Sequence, residues 1–484
     1  MRFLLSILFN LLLLNAVNAQ LKHKHDSGSI HKFFAKLKSF EQKVFSKKHH
    51  DSVLKSTFIP IENPNTIVVK KDTAIKNVKN QKIVFGWHQS WNEDSFGDYN
   101  FNLLTHVAYF TCDIDVLSGK LKNKNAWDNT KLVEYAKSQN PNCKVMLTVT
   151  CFGEFKTTVF LHNQKQQNAL IQELYNSIIN KKADGVCLDF EELVSIDQAN
   201  YVVFVQKLKE QFKKSNLNVF VTIPAVESVK NKPDYKQLNA VVDNYIIMGY
   251  DYFGGFSSEF DGPIAPLIKN NTWIAYGVQS SIEYYLNEIP DSLLILGVPY
   301  YGGIWEVNSL GVPGKPINFI GHRTYSSALP YITTNRFFND SLIGSSYYSF
   351  QTKENEFRHY WMETEYTMGA KYDLVLNKKI KGIAIFALGY DYGSNTFWNL
   401  INNKFFGGDQ GIKIITPTPN DTSIIKTKTI CDSICNDSLH KKESIISISK
   451  TISLIKTKPY TSGIILFSGL ISFLIVLLKT LSNK

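Results

Sequence analysis

Two acidic side chains lie two positions apart in an otherwise apolar segment, DGVCLDFEEL at residues 184–193. Alternate side chains of a β-strand share one face, so Asp189 and Glu191 point the same way. The opposite face is apolar and consists of Val186, Leu188 and Phe190. We expect this apolar face to pack outward against helices, while Glu191 faces a cleft and Glu192 caps a helix or faces solvent.

Paired carboxyl groups of this kind can carry out general acid–base chemistry. Like charges held close together raise the pKa of one group, which keeps a carboxylic acid protonated near neutral pH. A protonated acid beside an ionised one can donate a proton and stabilise positive charge in the same site. The alternative is a buried acid pair with a structural role, satisfied by arginine or backbone donors.

Eight short, β-rich apolar runs alternate with amphipathic helical stretches from residue 82 onward. They cover residues 82–87, 105–111, 144–150, 185–191, 218–225, 243–250, 293–302 and 381–390. Strands separated by helix-length connections predict an α/β fold, a (β/α)8 TIM barrel. The longest connection, about 303–372, is expected to form a small α+β insertion between strands 7 and 8. Glu191 then ends the fourth strand, at the barrel face where such enzymes keep their chemistry.

Two motifs in these strands resemble those of glycoside hydrolase family 18, the chitinase-like barrels. The fourth strand is similar to the family pattern Asp-Gly-x-Asp-x-Asp-x-Glu at Asp184, Gly185, Asp189 and Glu191. The sixth strand, IIMGYD, is similar to the family motif Met-x-Tyr-Asp at Met248, Tyr250 and Asp251. The resemblance covers about residues 82–406, and the two motifs together are specific.

The resemblance implies retaining, substrate-assisted hydrolysis of β-1,4-linked glycans that contain N-acetylglucosamine. Chitin-like, peptidoglycan-type and N-glycan-core substrates all remain open. Glu191 would be the general acid/base, and Asp189 would orient the substrate acetamide. Tyr250 and Asp251 would hold the acetamide. The resemblance implies neither a metal nor another cofactor.

The sequence departs from the family pattern in ways that place it in a divergent branch. Cys187 replaces the first inward acid of the fourth strand, so Asp189 is expected to titrate more like a lone acid. Phe386 stands where a tryptophan often forms the floor under the reacting sugar. These differences leave a second interpretation, a non-catalytic chitinase-like lectin.

Aromatic residues near the strand ends are candidates for stacking on sugar rings. The predicted substrate-binding residues are Trp87, Tyr109, Met248, Tyr300, Trp305 and Phe386. Trp305 and Trp361 lie in or beside the predicted insertion. We expect these two tryptophans to contact sugar rather than to fill the barrel core.

The ends of the chain predict targeting and membrane attachment. Residues 1–19 have the pattern of a signal peptide, and residues 20–81 form a basic linker or pro-segment with a weak helix. Residues 407–461 are expected to form a Ser/Thr/Lys-rich stalk that precedes a transmembrane helix at 462–478 and a basic tail at 479–484. These features predict entry into the secretory pathway and attachment at the cell surface.

The positive charge of the chain does not predict nucleic-acid binding. The formal charge is +11, but residues 1–82 and 408–484 together carry +15 and leave −4 for residues 83–407. Basic tails are expected to lie near an anionic surface rather than to bind nucleic acid. Four of the six cysteines fall on or beside predicted strands and two in a polar tail, which does not indicate a disulfide scaffold; a local bridge between Cys431 and Cys435 remains open.

Overall fold

A computed structural model of the chain describes residues 82–408, except 271 and 335. The strands are β1 (Ile83–Gln89), β2 (His106–Asp115), β3 (Lys120–Leu121), β4 (Lys144–Cys151), β5 (Gly185–Phe190), β6 (Asn218–Ile223), β7 (Asn244–Ile247), β8 (Leu294–Pro299), β9 (Tyr301–Val307), β10 (Pro316–Thr324), β11 (Phe338–Asp340), β12 (Ser345–Gln351), β13 (Phe357–Met362) and β14 (Gly382–Phe386).

The α-helices are α1 (Lys124–Asn129), α2 (Leu132–Gln139), α3 (Glu154–Leu161), α4 (Gln164–Lys181), α5 (Gln198–Lys213), α6 (Tyr235–Leu238), α7 (Val278–Leu286), α8 (Tyr325–Ile332), α9 (Glu365–Asn377) and α10 (Thr396–Phe405). Two 3-10 helices cover Glu93–Asp98 and Asp291–Leu293.

A closed parallel barrel forms the centre of this part of the chain. Its strand order is β1-β14-β8-β7-β6-β5-β4-β2, and pairing of β1 with β2 closes it. The short β3 pairs antiparallel with the end of β2, and the two strands form a hairpin. Each of the eight predicted runs overlaps one barrel strand, which confirms the predicted TIM barrel.

The barrel interior is filled by side chains in layers, as is typical of this fold. One layer brings Phe85 within 6.3 Å of His106 and 5.9 Å of Phe220, measured between ring centroids. Burial lowers the pKa of His106 to about 3, and the positive charges of Lys144 and Lys137 act in the same direction. His106 therefore lies in the barrel as a neutral ring.

Amphipathic helices cover the outside of the barrel. In α4 the buried residues Leu170, Leu174 and Ile178 recur every four positions and form one apolar face. The side chain of Asn163 accepts a hydrogen bond from the Gln166 backbone N–H at the start of this helix. Gln167 is a buried polar residue of α4, and its side-chain amide donates a hydrogen bond of 2.6 Å to Leu161 O at the end of α3.

The insertion between β8 and β14 is a separate antiparallel sheet with the order β10-β9-β13-β12-β11. Its location between the seventh and eighth barrel strands agrees with the sequence prediction. The predicted end at 372 was too late, because Glu365 already begins the barrel helix α9. Asp261 fastens the loop after β7 to this sheet, accepting hydrogen bonds from His359 Nδ1 at 2.8 Å and Trp361 Nε1 at 2.6 Å.

In the described part of the chain, no helix is both long and apolar enough to cross a membrane. The predicted signal peptide at 1–19, the linker at 20–81 and the transmembrane segment at 462–478 all lie outside the described residues. Those assignments therefore stay sequence predictions.

Candidate active site

Asp189 lies on β5 with its carboxyl group buried inside the barrel. Its side chain is 4% exposed, and Oδ1 accepts a hydrogen bond of 2.6 Å from the Thr222 hydroxyl on the neighbouring β6. The next residue, Phe190, points the opposite way and packs against Phe160, Tyr201 and Phe204 on the helices. The alternation predicted from the sequence is therefore present, with Asp189 inside and Phe190 outside.

The two glutamates that follow separate at the end of β5. The backbone N–H of Glu191 donates to Cys151 O at 3.1 Å, which continues the strand direction, and the side chain is half-buried. Glu192 takes a φ of 59° and turns away. Its Oε2 accepts a hydrogen bond from the Glu154 backbone N–H at the start of α3, where the helix dipole favours negative charge. Glu192 therefore caps a helix and is also exposed to solvent, the two alternatives that the sequence predicted.

Tyr250 follows β7 and is buried opposite these acids. Burial, and then the negative charges of Asp189, Asp251 and Glu191, raise the pKa of Tyr250 well above its ordinary value. A phenol with so high a pKa keeps its proton and remains a hydrogen-bond donor. Its ring fits because residue 297 is glycine, where an added Cβ would come within 3.2 Å of Tyr250 Cε1.

Asp251 is held in a strained backbone conformation beside Tyr250, with a φ of 59°. The Tyr301 hydroxyl donates a hydrogen bond of 2.7 Å to Asp251 Oδ1. His322 Nε2 lies 3.6 Å from the same oxygen. The Asp251 side chain is still 40% exposed, so it faces the cleft as well as its protein partners.

Phe386 is the centre of an aromatic floor at the carboxyl end of the barrel. Its ring centroid lies 5.2 to 6.5 Å from the rings of Phe110, Trp87, Tyr250 and Tyr301. We call these five residues the aromatic floor. The predicted residues Trp87 and Phe386 are thus brought together with Tyr250.

Two predicted substrate-binding residues lie on the outer face of the barrel instead. Tyr109 packs against Trp127, with ring centroids 5.6 Å apart. Tyr300 packs against Phe397 of α10 at 4.7 Å and hydrogen-bonds with the Tyr372 hydroxyl. Both side chains lie among the surrounding helices. Alternate residues of a strand point to opposite faces, and these two residues point away from the barrel interior.

The two tryptophans near the insertion also differ from the prediction. Trp305 and Trp361 are 1% and 0% exposed and fill the core of the insertion sheet with Ile274, Val307 and Ile343. Buried rings of this kind stabilise the insertion and offer no face to a sugar. Met248, two residues before Tyr250, is partly buried against the barrel core.

Tyr301 and Thr222 donate hydrogen bonds to the predicted acids Asp251 and Asp189, and both are missing from the predicted set. Alternation along β8 and into β9 places Gly297, Pro299 and Tyr301 on one face. Counting every second residue from Gly297 therefore leads to Tyr301, and not to Tyr300, on the face that points to Tyr250. Thr222 was detectable only as an inward residue at the end of its own strand. Its contact with Asp189 depends on strand register, with Cys187 opposite Phe220 and therefore Asp189 near Thr222.

Cys187 lies one inward position below Asp189 and is completely buried. Burial raises the pKa of its thiol well above the ordinary value, and the negative charge of Asp189 adds to this effect. The thiol is therefore neutral. Asp189 has an uncharged neighbour where the family pattern has a second acid.

Among the residues that the structure describes, no cluster of three histidine, cysteine, aspartate or glutamate side chains could hold a metal ion. The groups at the mouth of the barrel are instead carboxyls, phenols and a hydroxyl. Such a set can donate protons, orient a polar substrate group and stabilise positive charge.

Comparison with known proteins identifies the family. The family model described as glycosyl hydrolases family 18 matches residues 83–391. The "Putative sporulation-specific glycosylase YdhD" of Bacillus subtilis is 24% identical over 265 residues, which cover 52% of this chain and 58% of that protein. The "Probable chitinase 2" of Drosophila melanogaster is 24% identical over 258 residues, covering 48% and 52%. The chain thus spans a little over half the length of these two relatives.

Solved structures share the fold. The group IV chitinase of Ostrinia furnacalis, solved in complex with allosamidin, superposes with a TM-score of 0.61 at 20% identity. The match covers 68% of this chain and all of that chain. A chitinase-like agglutinin from Robinia pseudoacacia superposes with a TM-score of 0.58 at 19% identity, covering 66% and 98%. Since the family model spans more than half of the chain, this protein belongs to glycosyl hydrolases family 18.

Proposed function

We propose that the protein hydrolyses β-1,4-linked glycans containing N-acetylglucosamine, with retention of configuration and with assistance from the substrate acetamide. One observation carries this proposal. Tyr250 is buried at the carboxyl end of the barrel, and this burial, followed by the negative charges of Asp189, Asp251 and Glu191, raises the pKa of its hydroxyl. A protonated donor among three carboxyls suits a neutral acetamide that becomes positively charged during the reaction.

In the first step Glu191 donates its proton to the glycosidic oxygen, and the bond from this oxygen to the anomeric carbon breaks. The acetamide carbonyl oxygen of the same sugar attacks the anomeric carbon from the opposite face, giving an oxazolinium ion. Asp189 accepts a hydrogen bond from the acetamide N–H and stabilises the positive charge. The short hydrogen bond from Thr222 keeps the Asp189 carboxylate in one orientation while it does so.

In the second step Glu191, now ionised, removes a proton from water. The water oxygen attacks the anomeric carbon, the oxazolinium ring opens and the acetamide is restored. Two inversions at one carbon give net retention. Tyr250 donates a hydrogen bond to the acetamide carbonyl in this scheme, and Asp251 supports the same group from the other side.

Within the aromatic floor, the Phe386 ring is suited to the apolar face of the reacting sugar, while Trp87 is 1% exposed and packs against Phe386. Phe386 at the centre of the floor is 8% exposed, and Tyr250 and Tyr301 border it with hydroxyl groups. A phenylalanine offers less ring area than a tryptophan, so stacking is retained in a weaker form. The names of the relatives, which include chitinases and a glycosylase, support this class of substrate.

Replacement of Glu191 by glutamine tests the proposal, with Glu192→Gln as a matched control. Both variants replace a carboxyl group by an amide at adjacent positions, but Glu192 caps α3 and Glu191 is the proposed acid. With fluorogenic N-acetylglucosamine oligomers, we expect Glu191→Gln to lower kcat at least a thousandfold, while Glu192→Gln stays within about threefold of the native chain. Equal turnover by the native chain and Glu191→Gln would refute the enzyme assignment.

A sugar-binding protein without catalysis is the competing outcome of the same experiment. It predicts saturable binding of the oligomers by the native chain with no product above that of Glu191→Gln. The acids and the phenol are all present at the barrel mouth, so we propose the hydrolase.

We also propose that the hydrolase is exported and anchored at the cell surface, on the basis of the sequence at residues 1–19 and 462–478. Alkaline extraction of membranes tests this proposal. The full chain is expected in the membrane pellet, and a chain ending at residue 461 in the soluble fraction. Full-length protein in the soluble fraction would contradict the anchor.

A further inference from the structure

His322 is a buried histidine beside the proposed site that the proposed mechanism leaves without a task. Its side chain is 8% exposed. Among the described residues, neither ring nitrogen has a hydrogen-bond partner. A buried polar group without a partner is unfavourable for folding, so such groups in native proteins call for a functional explanation.

The backbone of β10 directs His322 toward the site. A β-bulge between Phe319 and Gly321 adds one residue to β10 opposite β9. As a result Phe319 and His322 share one face of the sheet, with ring centroids 5.0 Å apart. Gly321 has a φ of 136°, a conformation that L side chains rarely adopt. Bulges often redirect a side chain next to an active site, and this one turns His322 toward Tyr301.

His322 and Tyr301 approach the same carboxyl oxygen. His322 Nε2 lies 3.6 Å from Asp251 Oδ1, and the Tyr301 hydroxyl donates to that oxygen at 2.7 Å. The rings of His322 and Tyr301 meet edge to face at 5.2 Å. A shift of less than 1 Å would give Asp251 Oδ1 a second donor, and Oδ2 would remain available to the cleft.

The other groups around His322 leave Asp251 as its natural partner. Phe319 is apolar and packs on the ring. The Arg323 guanidinium is occupied by the His322 backbone carbonyl, to which Nη1 donates at 2.8 Å. The Tyr301 hydroxyl already donates its hydrogen bond to Asp251 and has no second proton to offer His322. The carboxylate is therefore the acceptor that faces the imidazole.

We propose that His322 is a positioning residue, supplied by the insertion sheet, that holds Asp251 in the orientation in which it meets the substrate. This inference rests on the proposed function, since it assigns a role to the residue that positions a member of the proposed site. It gives the insertion a part in the site, because β9 supplies Tyr301 and β10 supplies His322. The chemical class of ligand that depends on it is the N-acetyl group of an amino sugar.

A spectroscopic experiment tests the contact without any need for turnover. In protein labelled with 15N-histidine, a hydrogen-bonded imidazole N–H gives a downfield proton signal that exchanges slowly with water. We expect one such signal to disappear in His322→Gln, which assigns it, and also in Asp251→Ala. A His322 signal that is unchanged in Asp251→Ala would overturn the proposal, whether or not the protein hydrolyses glycans.

Kinetic variants test the consequence for the substrate. His322→Phe keeps the ring volume and removes the donor, and we expect KM for N-acetylglucosamine oligomers to rise about tenfold. His322→Gln restores a donor and should recover at least half of that loss. His162→Gln is the matched control, because His162 also lies 3.3 Å from an aspartate, Asp197, but sits beside α3 on the outside of the barrel.

Thermal unfolding of all three variants separates positioning from folding. A structural role alone would lower the melting temperature and the active fraction but leave KM unchanged, and that outcome would overturn the proposal. Absence of turnover in the native chain would refute the proposed function, and the spectroscopic result would then decide the contact between His322 and Asp251 alone.

Discussion

At the scale of single residues, Asp189 and Glu191 share a strand face but differ in their surroundings. Asp189 is enclosed and receives a hydrogen bond from Thr222. Glu191 stands at the end of the strand, where its side chain is half-buried and can reach a ligand. This difference suits the two proposed roles, since a stabilising carboxylate needs a fixed orientation and an acid/base must exchange protons with substrate and water.

Replacing Thr222 with valine removes the hydroxyl that fixes Asp189 and keeps the shape of the side chain. We expect kcat/KM for N-acetylglucosamine oligomers to fall about ten- to a hundredfold, because a hydrogen bond to a charged group contributes a net stabilisation of about 1.5–3 kcal/mol. Thr222→Ser retains the hydroxyl and should stay within about threefold of the native chain. A loss in Thr222→Val no larger than the loss in Thr222→Ser would contradict a role for the hydroxyl hydrogen bond to Asp189.

The neutral thiol of Cys187 distinguishes this site from the family pattern at the same scale. Two neighbouring acids would share a proton, but a thiol with a raised pKa does not compete for one. Thr222 supplies a hydrogen bond to Asp189 from the next strand. The expectation that Asp189 titrates more like a lone acid remains a prediction.

At the scale of elements, β7 and β8 approach each other closely because of a glycine. A Cβ at Gly297 would come within 2.5 Å of Ile247 O and 3.2 Å of Tyr250 Cε1. Any larger residue must therefore displace either the strand or the phenol. The position of Tyr250 thus depends on β8 as much as on its own strand.

The variant Gly297→Ala is expected to lower both activity and stability. Overpacking of a tight site costs about 1–3 kcal/mol, and a displaced Tyr250 hydroxyl should lower kcat/KM more than tenfold. Thermal unfolding and oligomer hydrolysis measure the two effects. Gly369→Ala in α9 is the control, since its added Cβ meets nothing closer than 3.9 Å and alanine favours the helix. A Gly297→Ala protein with native activity and melting temperature would contradict the packing described here.

Strand alternation and register explain which parts of the site could be predicted from the sequence. Local period-two patterns located all eight barrel strands and placed Asp189 on the inner face, because burial of the opposite face specifies the register. The prediction selected Tyr300 instead of Tyr301 at the end of a strand. There the inward residue is found only by counting every second residue from Gly297. Trp305 belongs to a second core that only the pairing of distant strands creates. His322 could not be predicted, since the bulge that redirects it is a property of the β9–β10 register.

At the scale of the whole molecule, a buried acid should make stability depend on pH. Burial raises the pKa of Asp391 to about 7, and its Oδ2 has no hydrogen-bond partner among the described residues. The folded protein therefore binds a proton on Asp391 that the unfolded chain has already lost above about pH 4. Stability from this group is fully present below about pH 4 and declines as pH rises toward 7.

Asp391→Asn removes this dependence, because asparagine stays neutral at every pH. We expect the variant to match the native chain near pH 4 and to be more stable by on the order of 2–4 kcal/mol at pH 8. Urea unfolding at the two pH values measures the difference. Asp373→Asn, whose side chain is half exposed beside Lys404, should show no such growth with pH. A constant difference between Asp391→Asn and the native chain would contradict the raised pKa.

The central claim concerns the whole site, in which the substrate's own acetamide acts as nucleophile over the aromatic floor. Proton NMR of the first product formed from an N-acetylglucosamine oligomer, beside the same oligomer without its acetyl groups, tests this claim most directly. The account predicts that the β-anomer appears first and that the deacetylated oligomer is not cleaved. Initial release of the α-anomer, or equal cleavage of the two oligomers, would contradict it.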